Sequence, residues 1–407
     1  MPSARKPKNL IRRKLGARLR QGLITVCCYL LGKVFALPGV RGAKPQLAPL
    51  KNLVNPRVVI IKPCCLGDIV LSTATLAALH DALPHSHFTY VVSSWARPAL
   101  VNNPRLDEIL DTGFDGSHFN RQTYFDLVRK LRRGHYDIAV VLDRSPLLAL
   151  LPWLAGIQIR AGLDSLGRGF ALNYNAKVWP GQPLHEAEVY LAVIRKLGLE
   201  PLAPRLEFYP TTSAETALVQ KAVAWGLDLN LPVAVIHPGG GHNPDTKVMA
   251  KRWPAPNFGK ISSHLLQNGW QVVIIGAETD REVVAEALEN ISFENGAKSG
   301  NLFDASQQLD IAQTGALLQH ARLFVGNDTG LMHLATTTKA AVVAIFGPSS
   351  PAMYGPYSLK GRAVSPVAKD VRSGLPLAEY QALSVEEGGI ERVSVNEVWE
   401  AIEAAMS

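Results

Sequence analysis

The sequence predicts two doubly wound α/β domains preceded by a basic helical extension, and three observations carry that expectation. From Arg57 onward, short runs of β-branched residues alternate with helix-period stretches, the pattern of βαβ units on a parallel sheet. The alternation comes in two sets, separated at 200–210 by EPLAPRLEFYP, where prolines interrupt helix and strand alike. A chain of 407 residues also exceeds what one core supports, and roughly 150 residues per domain points to two.

Taken in order, the extension comes first. Residues 1–67 hold 14 Lys and Arg and no Asp or Glu, whereas the other 340 residues carry 28 basic against 34 acidic side chains. The net charge of +8 is therefore local, and the body shows no basic stripe with interleaved aromatics, which argues against nucleic acid as a partner. Residues 5–20 are strongly basic and 22–32 (GLITVCCYLLG) are apolar until Lys33, a run too short to span a bilayer comfortably. Such a segment suits a helix lying in a membrane interface, so residues 1–55 are expected to form a basic, amphipathic, membrane-associating extension. A disordered arm, a secretory signal and a signal-anchor are the competing readings.

The first domain, 56–205, is expected to hold strands at 57–62, 88–92 and 137–142, with helices near 69–82, 120–132 and 186–197. The second, 206–407, should hold strands at 232–237, 271–276, 321–326 and 341–346, with helices near 213–225, 256–268, 279–290 and 328–337. In such sheets ligands bind beyond the carboxyl ends of the strands, so the residues just after each strand matter most. The four cysteines form two adjacent pairs, Cys27-Cys28 and Cys64-Cys65. Neither pair has zinc-site or disulfide-framework spacing, which points to free thiols in a reducing compartment.

Three blocks follow strands. In IIKPCCLGDIVLSTATL (60–76) a strand breaks at a glycine and a helix begins with Asp68, the first carboxylate of the chain. Asp68 reads either as a helix N-cap or as a general base at the strand's carboxyl end. In VIHPGGGHNPDTKVMAKRWP (235–254) three glycines and a downstream Lys251 could serve a simple turn or cradle a phosphate. In FVGNDTGLMHLATTTKAAVVAIFGPSSP (324–351) a strand leads through Asp328, Thr329 and Gly330 into a helix start able to meet a diphosphate. His333, four residues after Thr329, lies on the same helix face and is either a satisfied core histidine or a ligand contact. The chain has neither GxGxxG nor GxxxxGK[ST], so a nicotinamide dehydrogenase and a Walker-loop protein are disfavoured.

Together these blocks, with LDRSPLLALLPWLAGI (142–157), RAGLDSLGRGF (160–170) and HEAEVYLAVIRKLG (185–198), resemble the heptosyltransferases of lipopolysaccharide core synthesis, glycosyltransferase family 9, from about Arg57 to the end. The resemblance implies a GT-B fold: two Rossmann-like domains facing a cleft, acceptor on the first and nucleotide-sugar on the second, with inversion and neither metal nor cofactor. Carried over by motif, Asp68 is the base and Lys251 contacts phosphate. Asp328, Thr329, Gly330 and His333 form the nucleotide-binding loop, and Gly239 and Gly240 approach the donor phosphates. Arg144 and Arg168, inside two of the shared segments, are the candidates for binding acceptor. The expected partners are ADP-heptose, a lipid-linked glycan and, through residues 1–45, the cytoplasmic face of the inner membrane. The absence of any D-x-D, the usual carboxylate pair for a nucleotide-bound metal, agrees with metal independence. Cys64-Cys65 departs from the small hydroxyl residues usual in the family, and the segment between HPGGG and KRWP is longer than expected. Two alternatives stay open: a transferase using a hexose or N-acetylhexosamine donor on another glycan, and a membrane-associated nucleotide-binding protein without turnover.

Overall fold

The computed structural model describes residues 8–37, 39–40, 50, 53–114, 120–180, 182–243, 246–294, 299–366 and 389–407; side chains of the amino-terminal helix are described from residue 19. Two six-stranded parallel sheets form the frame. The first contains β1 (Arg57–Ile61), β2 (His87–Val92), β3 (Glu108–Asp111), β4 (Ile138–Val141), β5 (Ile159–Ser165) and β6 (Tyr174–Val178), in the order β3-β2-β1-β4-β5-β6. The second begins with β7 (Val233–His237). After a two-residue hairpin of β8 (His242–Asn243) and β9 (Thr246–Lys247), it continues with β10 (Gln271–Ile274), β11 (Leu302–Asp304), β12 (Leu323–Asn327), β13 (Ala341–Ile345) and β14 (Gly361–Val364). Its order is β11-β10-β7-β12-β13-β14. Numbered within each domain, both sheets run 3-2-1-4-5-6, the doubly wound order whose switch point lies between the first and fourth strands. Here that means β1 beside β4 and β7 beside β12.

The helices cover these sheets as the βαβ rule requires. They are α1 (Lys8–Phe35), α2 (Leu66–Ala82), α3 (Arg121–Arg133), α4 (Pro146–Leu154), α5 (Glu186–Lys196), α6 (Thr212–Trp225), α7 (Ala255–Gln267), α8 (Arg281–Glu289), α9 (Ile311–His320), α10 (Gly330–Ala335), α11 (Pro351–Tyr354) and α12 (Val395–Met406). Helix α5 packs on α2 and α6 on α9, so the change of domain falls between Lys196 and Thr212, where no regular element lies. One apolar cluster nevertheless crosses that change, from Ile60, Ile69 and Leu76 to Phe324, Met332 and Phe346. Helix α2, buried along Ile69–Leu79, is shared by both halves.

The central strands match the apolar runs read from the sequence. The sequence reading did not anticipate β3 (EILD), β11 (LFD) or β14 (GRAV), which lie at sheet edges and are short and mixed in polarity. Strands β5 (IRAGLDS) and β6 (YNAKV) carry internal Arg160, Asp164 and Lys177, which break the apolar signal.

Helix α1 differs from an amphipathic segment. Leu23, Val26, Tyr29, Leu30 and Val34 are exposed, and the basic and apolar residues separate along the helix axis rather than around it. No described helix is long and apolar enough to cross a membrane. What fixes α1 to the body is a small cluster of Cys28 and Phe35 on Phe170 and Ala171. Phe35 meets Trp153 and Phe170 edge-on, with centroids 5.1 and 5.0 Å away. Phe35→Ala should cost about 3 kcal/mol of that docking, or roughly 100-fold in the detached population. Tryptic cleavage after Arg20 and Lys33 should accelerate while the thermal transition of the two domains holds; unchanged cleavage would show that α1 is held by something else.

Candidate active site

On the first domain the site is built at the β1/β4 switch point. Lys62, the first residue after β1, is buried, and its Nζ lies 3.0 Å from Asp68 Oδ2 and 3.2 Å from Asp143 Oδ2. Asp143 follows β4, and its other oxygen accepts the Ser145 N–H at 2.8 Å. Burial works against the Lys62 ammonium, but the carboxylates of Asp68 and Asp143 outweigh it and hold its pKa well above the usual value. The chain reaches α2 through Cys65, which takes the N-cap position at φ 74°. Asp68 is thus in the first helical turn, not at the cap, and its side chain is 27% exposed. A capping role does not account for it. Arg144 forms a two-pronged ion pair with Glu186, at 2.6 and 2.8 Å. Close by, the buried hydroxyl of Tyr190 has no hydrogen-bond partner, and burial followed by the charge of Asp68 pushes its pKa well above the ordinary range.

On the second domain, two loops meet at β7 and β12. Asn327 joins them: its amide donates to the carbonyls of Pro238 and Gly239 at 3.0 and 2.9 Å, and its oxygen accepts the Trp253 N–H at 3.0 Å. Asp280 braces the glycines from beneath, accepting the N–H of Gly240 at 3.1 Å and pairing with Arg252 at 2.7 Å. Burial opposes the Asp280 charge, but nearby His237 and the amides of Gly240 and Ala277 bring its carboxyl down to about 2. A Cβ on Gly239 would lie 2.2 Å from Asp280 Cγ, and one on Gly240, at φ +105°, 2.2 Å from Thr329 Cγ2. Both glycines are thus required by the crowding of the loops themselves.

Thr329 caps α10, its hydroxyl accepting the Met332 N–H at 3.4 Å. Asp328 is buried and receives the Lys251 ammonium at 2.6 Å together with the Ser349 hydroxyl. Burial raises the Asp328 pKa, yet Lys251, His333 and the Ser349 contact bring it below the usual carboxylate value. Lys251 keeps a quarter of its side chain exposed, and an ammonium has three donors, so its pairing with Asp328 leaves capacity for a ligand.

The two halves meet at the starts of α2 and α10. A Cβ on Gly67 would stand 2.7 Å from His333 Cδ2, and one on Gly330 would stand 2.9 Å from Leu66 Cβ. Farther along the seam, His185 Nε2 donates to Gly355 O at 2.9 Å, since its Nδ1 accepts the Ala187 N–H, and the Tyr357 hydroxyl donates to Glu188 at 2.5 Å. His333 is buried, with Nδ1 unpartnered. Burial lowers its pKa to about 4, against the attraction of Asp328 and Asp68 on either side.

Asp68, Gly239, Gly240, Lys251, Asp328, Thr329, Gly330 and His333 thus gather on the loops and helix starts at the carboxyl edges of the two sheets. Arg144 stands beside the first group, next to Asp143. Arg168 does not join them: it lies in the β5–β6 loop and bonds Gln21 of α1 at 2.5 Å. Lys62, Asp143, Glu186, Asp280, Asn327 and Ser349 belong to the arrangement but were not singled out from sequence. Lys62 and Asp143 could have been, because each follows an apolar strand run directly. Among the described residues no group of three or more His, Cys, Asp or Glu could hold a metal ion.

Two Rossmann-type sheets that bring a carboxylate turn and a glycine-lysine loop to one seam define a two-domain α/β protein of the GT-B architecture. Residues 124–373 match the model of glycosyltransferase family 9 (heptosyltransferase), and the chain belongs to that family. It is 28% identical over 316 residues to lipopolysaccharide heptosyltransferase 2 of Escherichia coli K12, covering 76% of this chain and 87% of that one. Its fold is similar to a glycosyltransferase family 9 structure from Veillonella parvula, with TM-score 0.73 and 23% identity over 87% and 98% of the two chains. It is likewise similar to E. coli ADP-heptose lipopolysaccharide heptosyltransferase II, with TM-score 0.65 and 24% identity over 86% and 98%.

The buried histidine sets a pH dependence. With a folded pKa of about 4 against an ordinary 6.5, His333 stays neutral while the unfolded chain takes up a proton. Its contribution to stability is complete above pH 6.5 and is lost as pH falls toward 4, at up to about 1.4 kcal/mol per pH unit. Asp280 acts in a lower window, from about 3.8 down to 2. Denaturant midpoints measured from pH 7 to 4.5 should therefore fall less steeply in His333→Gln than in the parent; parallel profiles would contradict a buried neutral imidazole.

Proposed function

We propose that this protein transfers heptose from ADP-heptose to a hydroxyl of a lipopolysaccharide-core or similar lipid-linked acceptor, with inversion and without a metal. The observation that carries the proposal is the placement of Asp68, paired to Lys62, across the α2–α10 seam from the Lys251–Asp328 pair. The names of the relatives supply the sugar and the lipid; the residues supply a route. Asp68 removes the proton from the acceptor hydroxyl as its oxygen attacks the anomeric carbon, and the bond to the diphosphate oxygen breaks on the opposite face. Negative charge grows on the leaving diphosphate, where the Lys251 ammonium and the N–H groups of the glycine loop and of the α10 start favour the transition state over the ground state.

Lys62 suits this role for Asp68. One ammonium against two carboxylates gives the cluster a net charge of −1, so Asp68 can take up a proton while Asp143 still compensates the buried Lys62. Arg144, fixed by Glu186, is the nearer candidate for an acceptor contact, and Arg168 is tied to the α1 junction. The exposed leucine, valine and tyrosine side chains of α1 and the basic residues of 1–45 favour peripheral attachment to an anionic membrane on the cytoplasmic side, with each Lys or Arg contributing about 1 kcal/mol before screening.

Asp68→Asn keeps the shape but cannot accept a proton, so turnover with ADP-heptose should fall by about 10²–10⁴ with the melting temperature unchanged. The wild-type rate should be indifferent to EDTA in the same assay. A variant keeping half its activity would remove Asp68 as base, and collapse on chelation with recovery in magnesium would overturn metal independence. In sedimentation with anionic vesicles at low salt, the full chain should pellet and a chain lacking 1–45 should not; equal pelleting would place the attachment elsewhere.

A further inference from the structure

Cys64 and Cys65 have no part in the mechanism above, yet they form the turn that delivers Asp68. Their sulfurs lie 3.0 Å apart, both side chains are partly exposed, and neither is in a disulfide. The other adjacent pair shows what is unusual. Cys27 and Cys28 sit in mid-helix, where successive side chains point about 100° apart, and Cys28 is buried against the body while Cys27 faces solvent.

We infer that Cys64 and Cys65 are a thiol–disulfide switch, closing to a vicinal disulfide by exchange with a low-molecular-weight disulfide and thereby suppressing transfer through distortion of the first turn of α2. The two sulfurs are unequal. Contact with Cys65 lowers the Cys64 pKa, assisted by Lys62, whereas the same contact and burial raise that of Cys65. Cys64 is therefore the attacking thiolate. It displaces one thiolate from the incoming disulfide and leaves a mixed disulfide on Cys64. Cys65 then gives up its proton, attacks the Cys64 sulfur and releases the second thiolate. Two protein thiols and one disulfide become one internal disulfide and two free thiols.

Closure must shorten the sulfur separation from 3.0 Å to about 2.05 Å. Adjacent α-carbons stand only about 3.8 Å apart across a trans peptide, below the usual disulfide span of about 4.4 Å or more, so the ring strains its own backbone. Strained disulfides are readily reduced again, which is what a reversible device requires. The strain falls on Cys65, already at φ 74°, whose carbonyl accepts the Ile69 N–H at 3.0 Å and so begins the helical ladder of α2. Gly67 packs close to His333 and Gly330, which limits a shift of the turn toward α10. Distortion passes to Asp68 and its 3.0 Å contact with Lys62. This consequence for transfer rests on the assignment of Asp68 as base, whereas formation of the bond does not.

The test incubates the full-length protein with oxidised glutathione, maps the peptide containing Cys64 and Cys65 by mass, and measures transfer on the same sample before and after dithiothreitol. The peptide should lose two hydrogens, the rate should fall at least about tenfold, and both should return on reduction. Cys64→Ser/Cys65→Ser should transfer without response to the oxidant. No oxidation at this peptide, a lasting glutathione adduct in place of the internal bond, or closure without loss of rate would each overturn the switch. Loss of rate on closure beside a fully active Asp68→Asn would retain the switch and sink the assignment of the base.

Discussion

The constraint on which the rest of the structure depends is the close approach of the first turns of α2 and α10. It is possible only because glycine stands at each point of contact: Gly67 leaves room for the His333 ring, and Gly330 for Leu66. A methyl at either place would sit within 3 Å of its neighbour. With these in place, helices that begin at the switch points of two separate sheets share one seam. The groups at their starts, Asp68 on one side and Asp328 with Lys251 on the other, then open toward each other rather than onto separate surfaces. The continuous apolar cluster through α2 and α10 holds that geometry by burial, while His185 and Glu188 extend it with bonds to the loop following α11.

Charge within the seam is arranged asymmetrically. The first domain sets one buried ammonium against two carboxylates. The second sets two cations, Lys251 and Arg252, against two carboxylates, Asp328 and Asp280, with His333 neutral between the domains. The first cluster therefore carries a net charge of −1. The second is balanced, so under the proposed function attraction for a diphosphate would come from the remaining donors of Lys251 and from backbone N–H groups. Against its burial, Asp280 owes its depressed pKa first to His237 and then to the amides of Gly240 and Ala277, and it also orders the guanidinium of Arg252.

Much of this was legible in the sequence, for physical reasons that also explain the gaps. Strands buried on both faces, such as VVII at 58–61 and AVVAI at 341–345, must be apolar throughout and so announce themselves. Edge strands such as β3 and β11 need no such composition and do not. Asp68 and Asp328 were visible because each closely follows a strand or a glycine, and Lys251 because it lies downstream of the three glycines. Lys62 and Asp143 resemble ordinary charged ends of apolar runs, and only their mutual contact, 81 residues apart in the chain, distinguishes them. Asn327 and Asp280 act on glycines 88 and 40 residues away, which no local pattern reveals. The capping interpretation of Asp68 depended on where the helix begins, and a left-handed Cys65 moved that start three residues earlier than sequence preference would place it.

That left-handed cysteine also clarifies why the first turn of α2 is the sensitive part of the site. An N-cap with a suitable side chain would anchor the helix start through its own hydrogen bond, as Thr329 does for α10. Cys65 supplies no such side-chain bond, so the position of Asp68 relies on the Cys65 backbone, the Lys62 ion pair and the wall formed by His333. Each of the three is itself conditional: the backbone on an unfavourable φ, the ion pair on burial of an ammonium between two carboxylates, the wall on a histidine that must remain uncharged. A change in any one acts on the same carboxylate, which links the chemistry of the thiols, the protonation of His333 and the contact between the domains to one turn of helix.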